Sequence, residues 1–156
     1  MRKPMCFFAA FTLAAGVAAE TDPFVGTWKL DVEKSTYKGV PKPREETVTA
    51  TDQGDNRILS MTGTAADGSP IKIKVIQPVK GGPIQITGAP PSQSWDALTF
   101  KPINLTTQEI IYSKDGKQVG VRHIMLARNH QMYTARYTGT APQGKTVTEE
   151  LIWKRQ

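Results

Sequence analysis

An all-β domain, built as an antiparallel up-and-down barrel of about 8–10 short strands, is the fold class this sequence predicts. Three observations carry that expectation. The stretch 24–32 separates its residues at period two, with Phe24, Trp28, Leu30 and Val32 on one face beside Gly26, and Thr27, Lys29 and Asp31 on the other. That pattern suits a half-buried strand and not a helix, whose faces repeat every 3.6 residues. Turn signals rich in Gly, Pro, Asp and Asn recur between short alternating runs along the rest of the chain. No stretch supports a long amphipathic helix, which disfavours a parallel βαβ architecture.

The first strand follows a segment with the marks of a secretion signal. Arg2 and Lys3 supply charge, residues 7–15 form an uncharged apolar run, and Val17-Ala-Ala19 offers small residues for cleavage after Ala19. Residues 1–19 are therefore expected to be removed, leaving 20–156 as a single secreted or periplasmic domain. The apolar run is too short to span a bilayer and no second one occurs, so no transmembrane segment is expected after the signal is removed. The only cysteine, Cys6, leaves with the signal, excluding disulfides, thiolate nucleophiles and cysteine metal sites from the mature chain. Stability must then come from a packed core, and a chain of this length can build one.

Of 20 basic and 14 acidic residues, two basic ones lie in the signal, so the mature chain carries a net charge of +4. The densest basic patch, Lys34, Lys38, Lys42 and Arg44, is answered at once by Glu45 and Glu46. With no basic stripe interleaved with aromatics and no recognition motif, nucleic acid is not an expected partner.

Each element has its own justification. Residues 33–44, broken by Gly39, Pro41 and Pro43, read as a connecting loop. Residues 46–51 alternate Val48 and Ala50 against three threonines, a strand pattern. Residues 57–64, with Leu59 and Met61 inward, turn at Ala66-Asp-Gly-Ser-Pro70 into Ile71, Ile73 and Val75, the cleanest hairpin. Ile84 and Ile86 resume the alternation after Gly81-Gly-Pro83, and 88–94 form a long loop. Leu98 and Phe100 mark a strand that Pro102 ends or places at an edge. Strands follow at 107–113, with Ile110 and Tyr112 inward, at 118–127, with Val121 and Met125 inward, at 132–140, with Tyr133, Ala135 and Tyr137 inward, and at 146–153, with Leu151 and Trp153 inward. Thr62-Gly-Thr-Ala65 followed by Gly68 echoes Thr138-Gly-Thr-Ala141 followed by Gly144, a likeness best explained by two hairpins needing similar turns.

Chemistry-bearing groups are sparse. His123 lies mid-strand and His130 in a turn, which favours buried or exposed imidazoles over a metal site or acid–base work. No serine elbow occurs, and the adjacent pairs Glu45–Glu46 and Glu149–Glu150 each point to opposite faces of a strand, so neither pair converges. No catalytic residue, metal ligand or cofactor is expected. An enzyme would need a polar cluster inside the barrel, for which His123, Arg122, Arg136 and Glu109 are the candidates. For ligand binding, Tyr112, Tyr133 and Tyr137 can orient a polar group, Met125 and His123 join them if they face inward, and Arg122 and Arg136 are the candidates to meet an anionic head group.

Phe24-Val-Gly-Thr-Trp-Lys-Leu30 resembles the opening strand of the calycins, whose lipocalin members carry Gly-x-Trp there. The likeness to fatty-acid-binding proteins stops at that strand, because 33–44 has no room for their two helices and Leu151-Ile-Trp153 stands where they carry Arg-x-Tyr. Over nearly the whole mature chain the sequence resembles small secreted bacterial lipocalin-like proteins of unknown function, through Gly26-Thr-Trp-Lys-Leu30, Lys34-Ser35, Ala66-Asp-Gly-Ser-Pro70 and Thr87-Gly-Ala-Pro90. The resemblance implies a lipocalin-like barrel. Barrels of this size hold either a filled interior or one small ligand, so the expected function is non-enzymatic binding of a small hydrophobic or amphipathic ligand by a monomer, with Trp28 closing one end. The alternative is a filled barrel acting as an envelope or extracellular protein-interaction module through the loop around 90–95.

Overall fold

The computed structural model describes residues 21–90 and 92–156; the expected signal, 1–19, lies outside the described residues. Among the described residues twelve strands follow one another: β1 (Gly26–Leu30), β2 (Thr36–Lys38), β3 (Glu45–Gln53), β4 (Asn56–Thr64), β5 (Pro70–Pro78), β6 (Gly82–Pro83), β7 (Gln85–Thr87), β8 (Ala97–Asn104), β9 (Thr107–Lys114), β10 (Lys117–Leu126), β11 (Met132–Thr140) and β12 (Thr146–Arg155). They form one antiparallel sheet in the order β6-β8-β9-β10-β11-β12-β1-β3-β4-β5-β7, with β2 also paired to β12. The two ends of that order are consecutive in the chain. Gly82 and Pro83 pair with Phe100 and Thr99, Ile84 N–H donates to Leu98 O, and Gln85–Thr87 pair with Ile76, Val75 and Lys74. One short stretch thus touches both edges and nearly closes the sheet into the expected up-and-down barrel. Among the described residues, no helix is long and apolar enough to cross a membrane.

The first strand keeps its expected faces, with Trp28 only 1% exposed and Phe24 and Leu30 buried beside it. The core continues through Val48, Ile124, Leu126, Ala135, Leu151 and Trp153, and a second cluster gathers Leu98, Tyr112 and Tyr137. The two echoing segments form the same turn: Ala65 N–H donates to Ser69 O and Gly68 N–H to Ala65 O, as Ala141 N–H does to Lys145 O and Gly144 N–H to Ala141 O. Both glycines have the positive φ that this turn requires.

Two expectations fail here. Residues 33–44 are not wholly loop, because β2 inside them continues the column of β1 along β12, pairing Tyr37 with Glu149. A strand of three residues has too short an alternation to be seen in a sequence. In β10 the inward face is the opposite of the one expected: Arg122, Ile124 and Leu126 point in, while Val121 lies on the outer parity and Met125 is 43% exposed. The register slips between Gln118 and Gly120, a bulge at Val119 that reverses the side-chain parity beyond it. Large apolar residues occupy both parities of 121–126, so pairing with Ile110 and Gln108 on β9 and with Ala135 and Tyr137 on β11 decides the face.

Candidate functional site

Polar residues occupy inward positions at both ends of the barrel, separated by the apolar middle. At one end, Arg57 on β4 is buried. Its Nε and Nη2 donate to Asp22 Oδ2 at 2.8 and 2.5 Å, and its Nη1 donates to Gln108 Oε1 at 3.0 Å. Its guanidinium lies 5.2 Å from the ring centre of Phe24 and 5.8 Å from that of Phe100. Every nitrogen donates a hydrogen bond and two aromatic rings flank the guanidinium. Next to it, Gln77 is 2% exposed with no partner for Nε2, and it helps line an internal void of about 70 Å³ that reaches Trp28, Leu59, Ile110 and Tyr133. This end is closed. Trp28 Nε1–H donates to Phe24 O at 2.9 Å, and the Arg155 guanidinium lies 4.1 Å from the Trp28 ring centre while donating to Val25 O, Pro23 O and His130 O.

The middle is aromatic. Tyr133 meets Trp28 edge-on at 4.8 Å and stacks on Trp153 at 5.8 Å. Burial raises its hydroxyl far above the ordinary range.

Toward the other end the inner face opens. Along β4 and β5, exposure rises from buried Arg57, Val75 and Gln77 to half-buried Met61, Ile71 and Ile73. Here a second arginine, Arg122, points inward from β10. Its Nη2 donates to Glu149 Oε2 at 2.6 Å, and it lies 5.7 and 5.6 Å from the ring centres of Tyr112 and Tyr137. Arg122, Tyr137, Glu149 and Tyr37 are successive cross-strand partners across β10, β11, β12 and β2. Tyr137 is held in place by what its neighbours lack: Gly120 and Gly139 face each other, and a Cβ at Gly139 would come within 2.1 Å of the Tyr137 hydroxyl. Glu46 on β3 completes the group. Burial pushes its carboxyl up to about 7, Arg122 opposing and Glu149 reinforcing the shift.

This second cluster has spare hydrogen-bonding capacity. The Tyr37 hydroxyl and Arg122 Nε are buried without a partner; nearby Ser35 Oγ is already committed to Asp31 O and Ile152 N–H. Yet 24% of the Arg122 side-chain surface is accessible, so the side chain is not sealed from solvent.

Of the residues singled out from the sequence, Tyr112, Tyr133, Tyr137 and Arg122 are brought together inside. His123, Arg136 and Met125 are not: all three are exposed on the outer wall. His123 Nδ1 lies 3.1 Å from Glu109 Oε1, and Glu109 also faces Lys101 at 3.6 Å, while Arg136 pairs with Glu150. These are cross-strand neighbours forming an outer charge ladder, and the bulge at Val119 accounts for His123 and Met125 being there. The polar cluster imagined from His123, Arg136 and Glu109 therefore does not assemble inside. Glu46 and Glu149 were missed because each adjacent glutamate pair was judged alone; one member of each pair points inward, and the two meet around Arg122. Their parity was readable, since Glu46 alternates in phase with Val48 and Ala50, and Glu149 with Leu151 and Trp153. Among the described residues, no group of three or more His, Cys, Asp or Glu could hold a metal ion.

The chain matches no protein-family model, and no curated protein matches it.

Proposed function

We propose that this is a ligand-binding barrel taking one small hydrophobic or amphipathic molecule through its half-open end, its polar part against Arg122, Tyr37 and Glu46 and its apolar part along Met61, Ile71 and Ile73. One observation carries the reading: Arg122 Nε and the Tyr37 hydroxyl are inward-facing groups left without partners, beside apolar inner-face residues that are only half-buried. Unpaired buried polar groups cost about 1–3 kcal/mol each, a cost that a bound polar group removes. A few convergent polar groups above an apolar lining are the usual make-up of a small-molecule site. Export under the leader at 1–19 belongs to the same proposal, and N-terminal sequencing of the secreted protein checks it.

Native mass spectrometry of the protein purified from its host, with displacement of Nile red, tests the function. The expected result is one bound molecule per chain and displaceable dye, both lost in Met61→Trp, which fills the half-open end. A folded protein that carries nothing and binds no dye would overturn it.

The alternative of a protein-interaction module has one feature in its favour, a cleft of about 370 Å³ at the barrel seam lined by Ile84, Ile86, Trp95 and Leu98. A stoichiometric protein partner lost on Trp95→Ala is the outcome that would favour it.

A further inference from the structure

Resting on the ligand-binding reading, we infer that the polar head of the ligand is uncharged, both accepting and donating hydrogen bonds in the manner of a primary amide or an alcohol. This departs from the anionic head group that the arginines suggest in sequence. Charge at the half-open end of the barrel is already balanced. Three arginines stand at inward positions: Arg57 pairs with Asp22 at 2.5 Å and Arg122 with Glu149 at 2.6 Å, while Arg155, at the far end over Trp28, is spent on the carbonyls of Pro23, Val25 and His130. Glu46 stands beside the second pair with no cation of its own. Arg122, Glu149 and Glu46 therefore sum to zero when Glu46 is protonated and to minus one when it is ionised, and in neither state is there positive charge to offset the desolvation of an anion.

The basic excess of the chain lies on other faces. Lys29, Lys72, Lys74, Lys101 and Arg136 are all exposed on the outward parity of their strands. What the interior offers is directional hydrogen bonding: a donor at Arg122 Nε, a donor and acceptor at the Tyr37 hydroxyl, and the Glu46 carboxyl. A carbonyl or hydroxyl oxygen can accept from the first two while an amide N–H or alcohol O–H donates to the third. A site with buried polar groups of this kind discriminates strongly against heads that cannot satisfy them.

Binding of octanamide, octanol and octanoate, measured by Nile red displacement near pH 8 where Glu46 is largely ionised, tests the inference. The amide and the alcohol are expected to bind the wild-type protein at least tenfold more tightly than the carboxylate. Glu149→Gln, which frees the Arg122 charge, is expected to move the amide-to-carboxylate ratio at least tenfold toward octanoate. Glu46→Gln, which leaves the Arg122–Glu149 pair in place, is expected to move it the same way by a smaller factor, so the result does not hang on one variant's folding. Octanoate binding the wild-type protein as tightly as octanamide would overturn the inference while leaving the ligand-binding reading intact. Binding of none of the three would sink that reading itself, and the inference with it.

Discussion

Two of the inward arginines, Arg57 and Arg122, stand in contrasting states. Arg57 spends its nitrogens on Asp22 and Gln108 and has the rings of Phe24 and Phe100 beside it, whereas Arg122 makes a single ion pair and leaves its buried Nε unpartnered. The same side chain on the same kind of strand thus serves as a lock at one end and as an open hydrogen-bonding edge at the other. What separates them is completeness of satisfaction together with burial, the Arg57 side chain being 7% and the Arg122 side chain 24% exposed. A buried polar network is stabilising when every member is paired, and a partly paired one is where a ligand finds its place.

The comparison is most exposed to Arg57→Leu, which leaves Asp22 and Gln108 without their partner. A loss of about 3–5 kcal/mol in chemical denaturation is expected, against a smaller one for Arg122→Leu, which strands a single partner, Glu149, and removes a buried Nε that has none. Equal losses would break the distinction. Gly139→Ala comes next: the added methyl drives into Tyr137 and is expected to cost about 1–3 kcal/mol while weakening Nile red binding, because the ring that backs Arg122 must move.

A smaller effect separates the ends by pH. The Glu46 carboxyl titrates near 7 in the folded chain against an ordinary 4.5, so the folded state binds the extra proton between those values. The stability this group contributes is fully present below about 4.5 and is lost as pH rises to about 7. Glu46→Gln, which stays neutral, is expected to match the wild type at low pH and to exceed it by on the order of 1 kcal/mol above the transition. A flat difference across denaturation curves taken along that range would contradict the burial of Glu46. The smallest change belongs to the outer ladder, where His123→Ala and Arg136→Ala are expected to shift stability by less than about 0.5 kcal/mol and to leave dye binding unchanged.

Much of the architecture was legible in alternation and turn chemistry. Trp28 and Leu30 lie inward, and the Asp67-Gly68 hairpin forms, because those signals are local. β10 was misread because a single bulge at Val119 reverses parity and both parities beyond it carry large apolar residues, so only non-local pairing can choose. The site was less legible for a different reason. Sequence reading sought polar residues by chemical type, finding tyrosines, arginines and histidines, and passed over polar residues in phase with the core. Arg57 before Leu59, Gln77 after Val75, Gln108 before Ile110, Glu46 before Val48 and Glu149 before Leu151 all carry that mark. Which of them is satisfied and which is left free depends on partners two or more strands away, and no local pattern holds that information.

The contacts of β12 bear on how the chain reaches this structure. Arg155 binds the carbonyls of Pro23 and Val25, Gln156 N–H donates to Thr27 O, and Ile152 is bonded through both its N–H and its carbonyl to the segment 31–35. The last of the described strands is thus the one that joins β11 to β1, across more than a hundred residues of chain. Closure by such distant pairing is slow compared with hairpin formation, and until it happens β1 and β11 each present an unpaired edge able to recruit other chains. The interval between completing the hairpins and docking β12 is therefore when this protein is most prone to associate with its own copies, and a chain stopped before Thr146 would remain in that state.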